Sequence, residues 1–505
     1  MPHRLQVLLL VLLAAGISRF ATSARAALPP DFVDEQIASG LSQPTSLAFL
    51  PDGRVLVVEQ VSAKVRLIVN GTVSPINPIT VPGVNTSGSE RGLLGITVDP
   101  RWPTFPYVYV MYSRVTNKMV IVRYTASGDV NDAAGDSRVR AGPHDMSLDA
   151  PDSGFNPLGG TLGLGPDGML YASLGDDALE CAAQDSTDLR GVLLRMDVSG
   201  VPAGGFGPPD KEDLRPASGN PYPPDNANAG ISFAMGLRNP FRFAIDPWDG
   251  NLYVGDVGFN TFEELSEVTG GENLGWPYRE GFAVRTSGGC TEPGGSGNYP
   301  YDDPILDYAR TGGPYAIIAA PFYRPVGGGV HSFPISYSGV AFYFDYYKGF
   351  LRGVKKSGST WVPLSVPGQP NATDWGTGYS FIGDMIVGPD GAMYYVTQGS
   401  GQLRRIRYAG EVNAAEPGLT PPLRAFPNPL RSGAVLTVEL PEDAGTGTLA
   451  VYDALGRRIR SLPVAGRIAR WNGDTERGGA VAPGAYFLRL TTPAGVAGRR
   501  VVVLP

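Results

Sequence analysis

The sequence predicts an all-β protein: a six-bladed β-propeller over residues 28–408, followed by a small immunoglobulin-like β-sandwich over residues 425–505. Three observations carry this expectation. The first is composition. The 505 residues include 68 Gly and 46 Pro, with 42% hydrophobic residues and no collagen period. Such a chain can bury a large core while placing Gly and Pro in turns. The second is a recurring hairpin. The third is the lack of any long stretch with helical periodicity, which predicts little helix.

The hairpin recurs as "LAFLPDGRVLVVEQ" from Leu47, "ITVDPRWPTFPYVYVMYS" from Ile96, "LGLGPDGMLYASLGD" from Leu162, "FAIDPWDGNLYVGDVG" from Phe243 and "IVGPDGAMYYVTQG" from Ile386. A weaker sixth copy, "VAFYFDYYKGFLRGV", starts at Val340. In the third copy Leu162 and Leu164 alternate with small residues, and Leu170, Ala172 and Leu174 alternate beyond Pro166-Asp167-Gly168. Pro presets φ for the turn, Asp accepts a local hydrogen bond and Gly takes positive φ. About 380 residues then hold six copies, roughly 63 apiece, which leaves room for large loops around four-stranded blades. A lone hairpin cannot bury both faces; radial packing of blades solves this. A sandwich would space its hairpins more closely.

The remaining elements follow in chain order. "MPHR", the apolar "LQVLLLVLLAAGI" and Ala24-Arg25-Ala26 form the basic start, hydrophobic stretch and cleavage site of a signal peptide, residues 1–26. The apolar run is short for a membrane span, so export is expected, to the periplasm, cell surface or medium, with an uncleaved anchor as the alternative. Residues 409–424 read as a Pro- and Ala-rich linker. Beyond it lie short strands: "AVLTVEL", "GTLAVYDALG", "RIRSL", "GAYFLRLTT" and "GRRVVVL". The net charge of −7 argues against nucleic acid as a partner. Cys181 and Cys290 are the only cysteines. In an exported protein the pair points to one disulfide, with two independent thiols as the alternative; two thiols are a poor zinc set.

Four stretches in order, "ERGLLGITVDP" (90–100), "GGTLGLGPDGMLYASLGD" (159–176), "GLRNPFRFAIDPWDGNLYVGDVG" (236–258) and "GENLGWPYREG" (271–281), resemble the soluble quinoprotein glucose/sorbosone dehydrogenases. That family includes the aldose sugar dehydrogenases and the related hedgehog-interacting-protein-like propellers, and the similarity spans most of residues 35–408. It implies pyrroloquinoline quinone (PQQ) as cofactor, calcium beside it and a sugar or related polyhydroxy compound as substrate. Arg best holds the cofactor's carboxylates, His suits proton removal, and calcium held by carbonyls polarises the quinone. Carried over residue by residue, the resemblance makes Arg238 the carboxylate clamp and Asn239 its polar neighbour. Gly258 and Phe259 stand where the family binds calcium through backbone carbonyls. Glu90 precedes "GLLG" and faces either the pocket or solvent.

Two departures qualify the activity. The family's Asn-His-x-Gly-Gly pattern is here Asn156-Pro157-Leu158-Gly159-Gly160, so Asn156 remains a cofactor contact while Pro157 occupies the place of the base. His331 and His144 are the only histidines past the signal peptide, and Asp176 and Asp177 are carboxylate alternatives. Near the last hairpin, where the family often has arginines, stand Phe381 and Gly383; Lys355 and Lys356 are substitutes only if they leave a solvated turn. Three readings stay open: a PQQ-dependent dehydrogenase; a catalytically silent propeller binding glycan at a rim with Trp276, Tyr278 and Trp375; and a secreted protein–protein adaptor. The tail, with "FPNPLRSGAVLTVELPE", "VYDALGRRIRSL" and "GAYFLRL", resembles flagellar-hook-capping-type sandwiches and type IX secretion sorting domains. That implies engagement of secretion or surface machinery, with a stabilising accessory domain as the alternative.

Overall fold

The structure, a computed structural model, describes residues 27–127, 140–141, 147–152, 159–201, 215–224, 226–293, 299–326, 329–366, 369, 371–410, 423–428, 430–431, 433–440, 446–453, 457–476, 478–492 and 495–504. The proposed signal peptide, His144, Asn156 and Pro157 lie outside the described residues. The protein is almost entirely β. The one α-helix among the described residues, Ala227–Ile231, is five residues long and capped by the Asn226 side chain.

Up to Tyr408 the strands form six antiparallel sheets of four or five strands, plus a two-stranded ribbon, Arg279–Glu280 with Ala283–Val284. In chain order the first strands of the six sheets are Pro44–Phe49, Leu93–Val98, Gly159–Leu164, Arg242–Ile245, Ile317–Tyr323 and Ile382–Val387. Each packs against the next, and the sixth returns to the first, giving a propeller-like ring. The N-terminus closes it: Phe32–Ser39 pairs antiparallel with Gln402–Tyr408 as the outer strand of the sixth sheet.

Six apolar clusters fill the gaps between neighbouring sheets. Val55 and Val57 turn toward the sixth sheet, where Val396 and Leu403 meet them. Leu56 and Val58, on the opposite face of the same strand, meet Val108 and Val110 of the second sheet. Because both faces are covered, Val55–Glu59 is wholly buried and reads as a continuous apolar run rather than an alternation. At the axis the first strands approach so closely that glycine is required: a Cβ on Gly95 would sit 2.5 Å from the carbonyl oxygen of Gly160.

Five of the recurring hairpins are the first and second strands of their sheets. The copy from Val340 is not. It forms the second and third strands, Val340–Asp345 and Phe350–Ser357, of a sheet whose first strand is Ile317–Tyr323.

After residue 423 come a three-stranded sheet (Arg424–Phe426, Leu436–Glu439, Ile468–Trp471) and a five-stranded one containing Thr446–Asp453, Gly484–Thr492 and Gly495–Leu504. Both face one core, with Trp471, Leu436, Leu449, Leu490 and Val501 fully buried. Among the described residues no helix is long and apolar enough to cross a membrane.

Candidate functional site

The ring has two distinct ends. The Pro-Asp-Gly turns, Pro51–Gly53, Pro166–Gly168 and Pro389–Gly391, lie where first strands finish. At the other end, where first strands begin, Asn239, Gly159 and Glu90 converge. Asn239 Oδ1 accepts the Gly159 N–H at 3.0 Å, and Asn239 Nδ2 donates to Glu90 Oε2 at 3.4 Å. This end is the mouth of the ring.

The loop bearing Arg238 and Asn239 is held by its backbone. Both N–H groups donate to Asp256, at 2.8 and 2.6 Å, and the Arg238 carbonyl accepts the Asp176 N–H at 2.8 Å. Burial pushes the Asp256 carboxyl up to about 7, against the pull of those two N–H groups. Asp176 is likewise raised by burial, to about 6, although it accepts the Trp276 indole N–H at 2.8 Å.

Arg238 donates through Nη1 to the carbonyls of Val257 and Gly258, both at 2.8 Å, and lies over the rings of Phe259 and Trp276. Arg310 reaches the same Gly258 oxygen through its own Nη1 at 2.7 Å and pairs with the buried Glu263. Burial raises Glu263 to about 8, the nearby Arg310 pulling it down. The far side of this loop is fixed by Glu280, whose Oε1 accepts the N–H groups of Phe259, Asn260 and Thr261, each at 2.8 Å, and of Phe262 at 3.3 Å. Such a carboxylate in a backbone nest sets the loop's shape. Arg285 pairs with Glu180 at 2.8 Å and lies 4.5 Å from the Trp276 ring centroid. The segments carrying Glu180 and Arg285 are joined by a disulfide between Cys181 and Cys290, which decides between the two readings of the cysteines. Tyr347 and Phe381 are exposed nearby, and the Tyr347 hydroxyl, raised mainly by burial, feels both Glu90 and Arg310.

Other sequence-derived candidates lie elsewhere. The His331 N–H bonds the Asp390 carbonyl, in the Pro389–Gly391 turn, so His331 sits at the end opposite the mouth and is not positioned as its base. Trp375 is 0% exposed, in the core between the fifth and sixth sheets, and is not a rim aromatic. Trp276 is buried as well, while Tyr278 remains partly exposed. Asp177 pairs with Arg190. Lys356 pairs with Glu267, and Lys355 donates to the Ser336 carbonyl. Asn156, Pro157 and His144 are outside the described residues, with the described strand starting beside them at Gly159.

The donor set fits an anionic ligand. The Nε and Nη2 groups of Arg238 and Arg310 make no hydrogen bond among the described residues, so each guanidinium keeps an edge for a carboxylate. It does not fit calcium at the Gly258 carbonyl. The Gly258 carbonyl already accepts two guanidinium N–H groups. Arg310 and Glu280 escaped the sequence reading. Arg310 follows the outer strand Leu306–Ala309 in no recognisable motif, and Glu280 is masked by its "GWP" neighbours.

Among solved structures the chain is similar to the PQQ-bound aldose sugar dehydrogenase of Streptomyces coelicolor, with 24% identity, a TM-score of 0.51, and coverage of 75% of this chain and 99% of that one. In sequence it is similar to quinoprotein glucose dehydrogenase B of Acinetobacter calcoaceticus (24% identity, covering 50% of this chain and 54% of that protein). It is also similar to an aldose sugar dehydrogenase of Escherichia coli (26% identity, 51% and 64%). The chain thus spans between half and two thirds of the length of these relatives. The glucose/sorbosone dehydrogenase family model matches residues 41–311, more than half of the chain and all of the loops that build the mouth except those of the fifth and sixth sheets. The chain belongs to the glucose/sorbosone dehydrogenase family.

Proposed function

We propose that the mouth binds PQQ and that the protein is an exported, sugar dehydrogenase-like oxidoreductase acting on an aldose or related polyhydroxy compound. The gathering of Arg238, Asn239 and Glu90 at one end of the ring is the observation that carries this reading. On it, the six sheets are the blades of a six-bladed propeller and the tail is an immunoglobulin-like domain for sorting or surface attachment. The quinone, when bound, supplies the hydride acceptor. Arg238 and Arg310 hold its carboxylates, and Asn239 fixes the floor between the third and fourth sheets. Glu90, beside Asn239, takes the hydroxyl proton as the sugar carbon gives up its hydride, since no imidazole stands at the mouth among the described residues.

Titrating PQQ into the full-length protein, followed by its absorbance, tests binding; Arg238→Met is expected to weaken it about tenfold, the loss of one charge-assisted pair. Dye reduction with a panel of aldoses then tests turnover, where Glu90→Gln lowers kcat with KM little changed. One observation favours a second reading: with His331 at the far end, the mouth among the described residues offers a carboxylate and no imidazole. Quinone binding with no dye reduction by any aldose would select that reading, a silent propeller binding glycan or protein through the same rim.

A further inference from the structure

The carbonyls that ought to hold a divalent cation already accept guanidinium donors. Gly258 lies directly after Leu252–Asp256 and Val257, and its carbonyl oxygen points at two guanidinium groups, Arg238 Nη1 at 2.8 Å and Arg310 Nη1 at 2.7 Å. The Val257 carbonyl takes a second bond from Arg238, also 2.8 Å. Arg238 comes from the loop preceding the first strand of the fourth sheet, and Arg310 follows the outer strand of the same sheet, so both ends of that sheet deliver a cation to one oxygen. Neither arginine is adventitiously placed. Arg238 is fixed by its own backbone bonds to Asp256 and Asp176, and Arg310 by the buried Glu263, whose second oxygen accepts the Ile317 N–H at 2.8 Å. Glu280, the carboxylate nearest the loop, is turned to its N–H side and holds four backbone donors there.

Calcium needs six to eight oxygen ligands at about 2.3–2.6 Å. Here the carbonyl oxygens of Val257 and Gly258 are used by donors, and two unit positive charges within hydrogen-bond distance of the Gly258 oxygen oppose a divalent cation. The same two charges favour an anion at the guanidinium edges that carry no other bond among the described residues. We infer that Arg238 and Arg310 together replace the metal, forming a two-arginine anion site that takes a carboxylate-bearing ligand without any divalent cation. The inference rests on the reading of the mouth as the ligand site; it names how that ligand is held.

Two titrations test it on the full-length, chelator-treated protein. Calcium alone, followed by calorimetry and by the thermal midpoint, is expected to give neither heat nor stabilisation in the wild type; saturable calcium binding with a raised midpoint overturns the inference. PQQ is then titrated with chelator and with excess calcium. Equal affinities in the two conditions support the inference, and tenfold or greater tightening by calcium, about 1.4 kcal/mol, overturns it. Arg310→Met is expected to weaken the chelator-condition affinity about tenfold, whereas an unchanged affinity would remove Arg310 from the site and overturn the inference. Because that variant strands the buried Glu263, the paired variant Glu263→Gln with Arg310→Met guards against a folding defect and should show the same loss. If PQQ binds in neither condition, the proposed function fails, while the calcium titration still decides whether the loop excludes the metal.

Discussion

Arg242 shows how much one side chain can hold. It is 1% exposed, and its guanidinium donates to the carbonyls of Thr45, Leu94, Gly160, Phe241 and Gly383 at 2.7 to 3.2 Å, with Asp384 3.8 Å away. Those carbonyls lie at or beside the starts of the first strands of five different sheets, so a single cation plugs the axis beneath the mouth. Its neighbour in "RNPFR", Arg238, lies at the mouth; on the proposed function one short motif supplies both the plug and the clamp. Arg242→Met leaves five buried carbonyls without this donor and Asp384 without its cation. We expect a loss of about 3–5 kcal/mol in urea denaturation; a loss below about 1 kcal/mol would show that water replaces the guanidinium. Asp176 gives a prediction of opposite character. Burial raises its carboxyl to about 6, outweighing Arg238, the Trp276 indole and the Ala178 N–H, with Glu180 adding to the rise. A carboxyl whose folded pKa is raised keeps its proton in the folded state longer than in the unfolded one. Its contribution is therefore fully present below about pH 4 and is lost as pH rises through about 6. Stability in this window should fall with rising pH by on the order of 3 kcal/mol from this group, and Asp176→Asn should flatten the slope of the thermal midpoint between about pH 4 and pH 7.

At the scale of elements, the loop 258–262 depends on the ribbon that carries Glu280. Four backbone N–H groups converge on one carboxylate oxygen, and the carbonyl face they leave behind is the one the two arginines use. Glu280→Ala removes the nest's centre without touching the mouth's own side chains. The expected outcome is a loss of about 2–3 kcal/mol in stability together with weaker PQQ binding, because Gly258 no longer positions Arg238 and Arg310. A stability loss with unchanged binding would mean the arginines find their places without the loop. The legibility of the sequence also divides at this scale. Pro-Asp-Gly punctuation marked three of the five hairpins, where Gly53, Gly168 and Gly391 take the positive φ a tight turn requires, and Asp-Pro marked the other two. The fifth sheet's first strand, "IIAAPFY", has no such mark: its connection runs from 324 to 339 through a short helical turn at Ile335–Tyr337, so the local signal fell one strand late. Arg238 and Asn239 were legible as a motif. Arg310 was not, because its partner Gly258 is 52 residues away and only the sheet between them brings the two together. His331 misled for the same reason: a lone residue type says nothing about which end of a ring its loop occupies.

At the scale of the whole molecule, Trp248 bridges the ring and the C-terminal sandwich. Trp248 lies in the turn after the first strand of the fourth sheet, at the end of the ring away from the mouth. Its ring lies between two guanidinium groups, Arg324 of the ring domain at 3.9 Å and Arg489 of the C-terminal sandwich at 4.0 Å, and Tyr452 of the sandwich packs beside it at 5.8 Å. Arg324 is anchored by Asp246 at 3.0 Å, while burial, with Arg324 close by, holds Arg489 below the usual arginine range. Two like charges this near each other are tolerable because the indole face screens them and Asp246 offsets one. These contacts of the sandwich lie at the turn end, away from the mouth; on the proposed reading of the tail as an attachment domain, that placement leaves the mouth to its ligand. Trp248→Ala removes both cation–π contacts and the ring contact, about 2–4 kcal/mol in sum. Scanning calorimetry should then resolve a sandwich transition at lower temperature than the ring, and small-angle scattering should show a larger maximum dimension, with PQQ affinity at the mouth unchanged. If the variant instead unfolds in one transition at the wild-type midpoint, Trp248 does not hold the domains together. A change in PQQ affinity would break the separation of the two ends on which this account of the molecule depends.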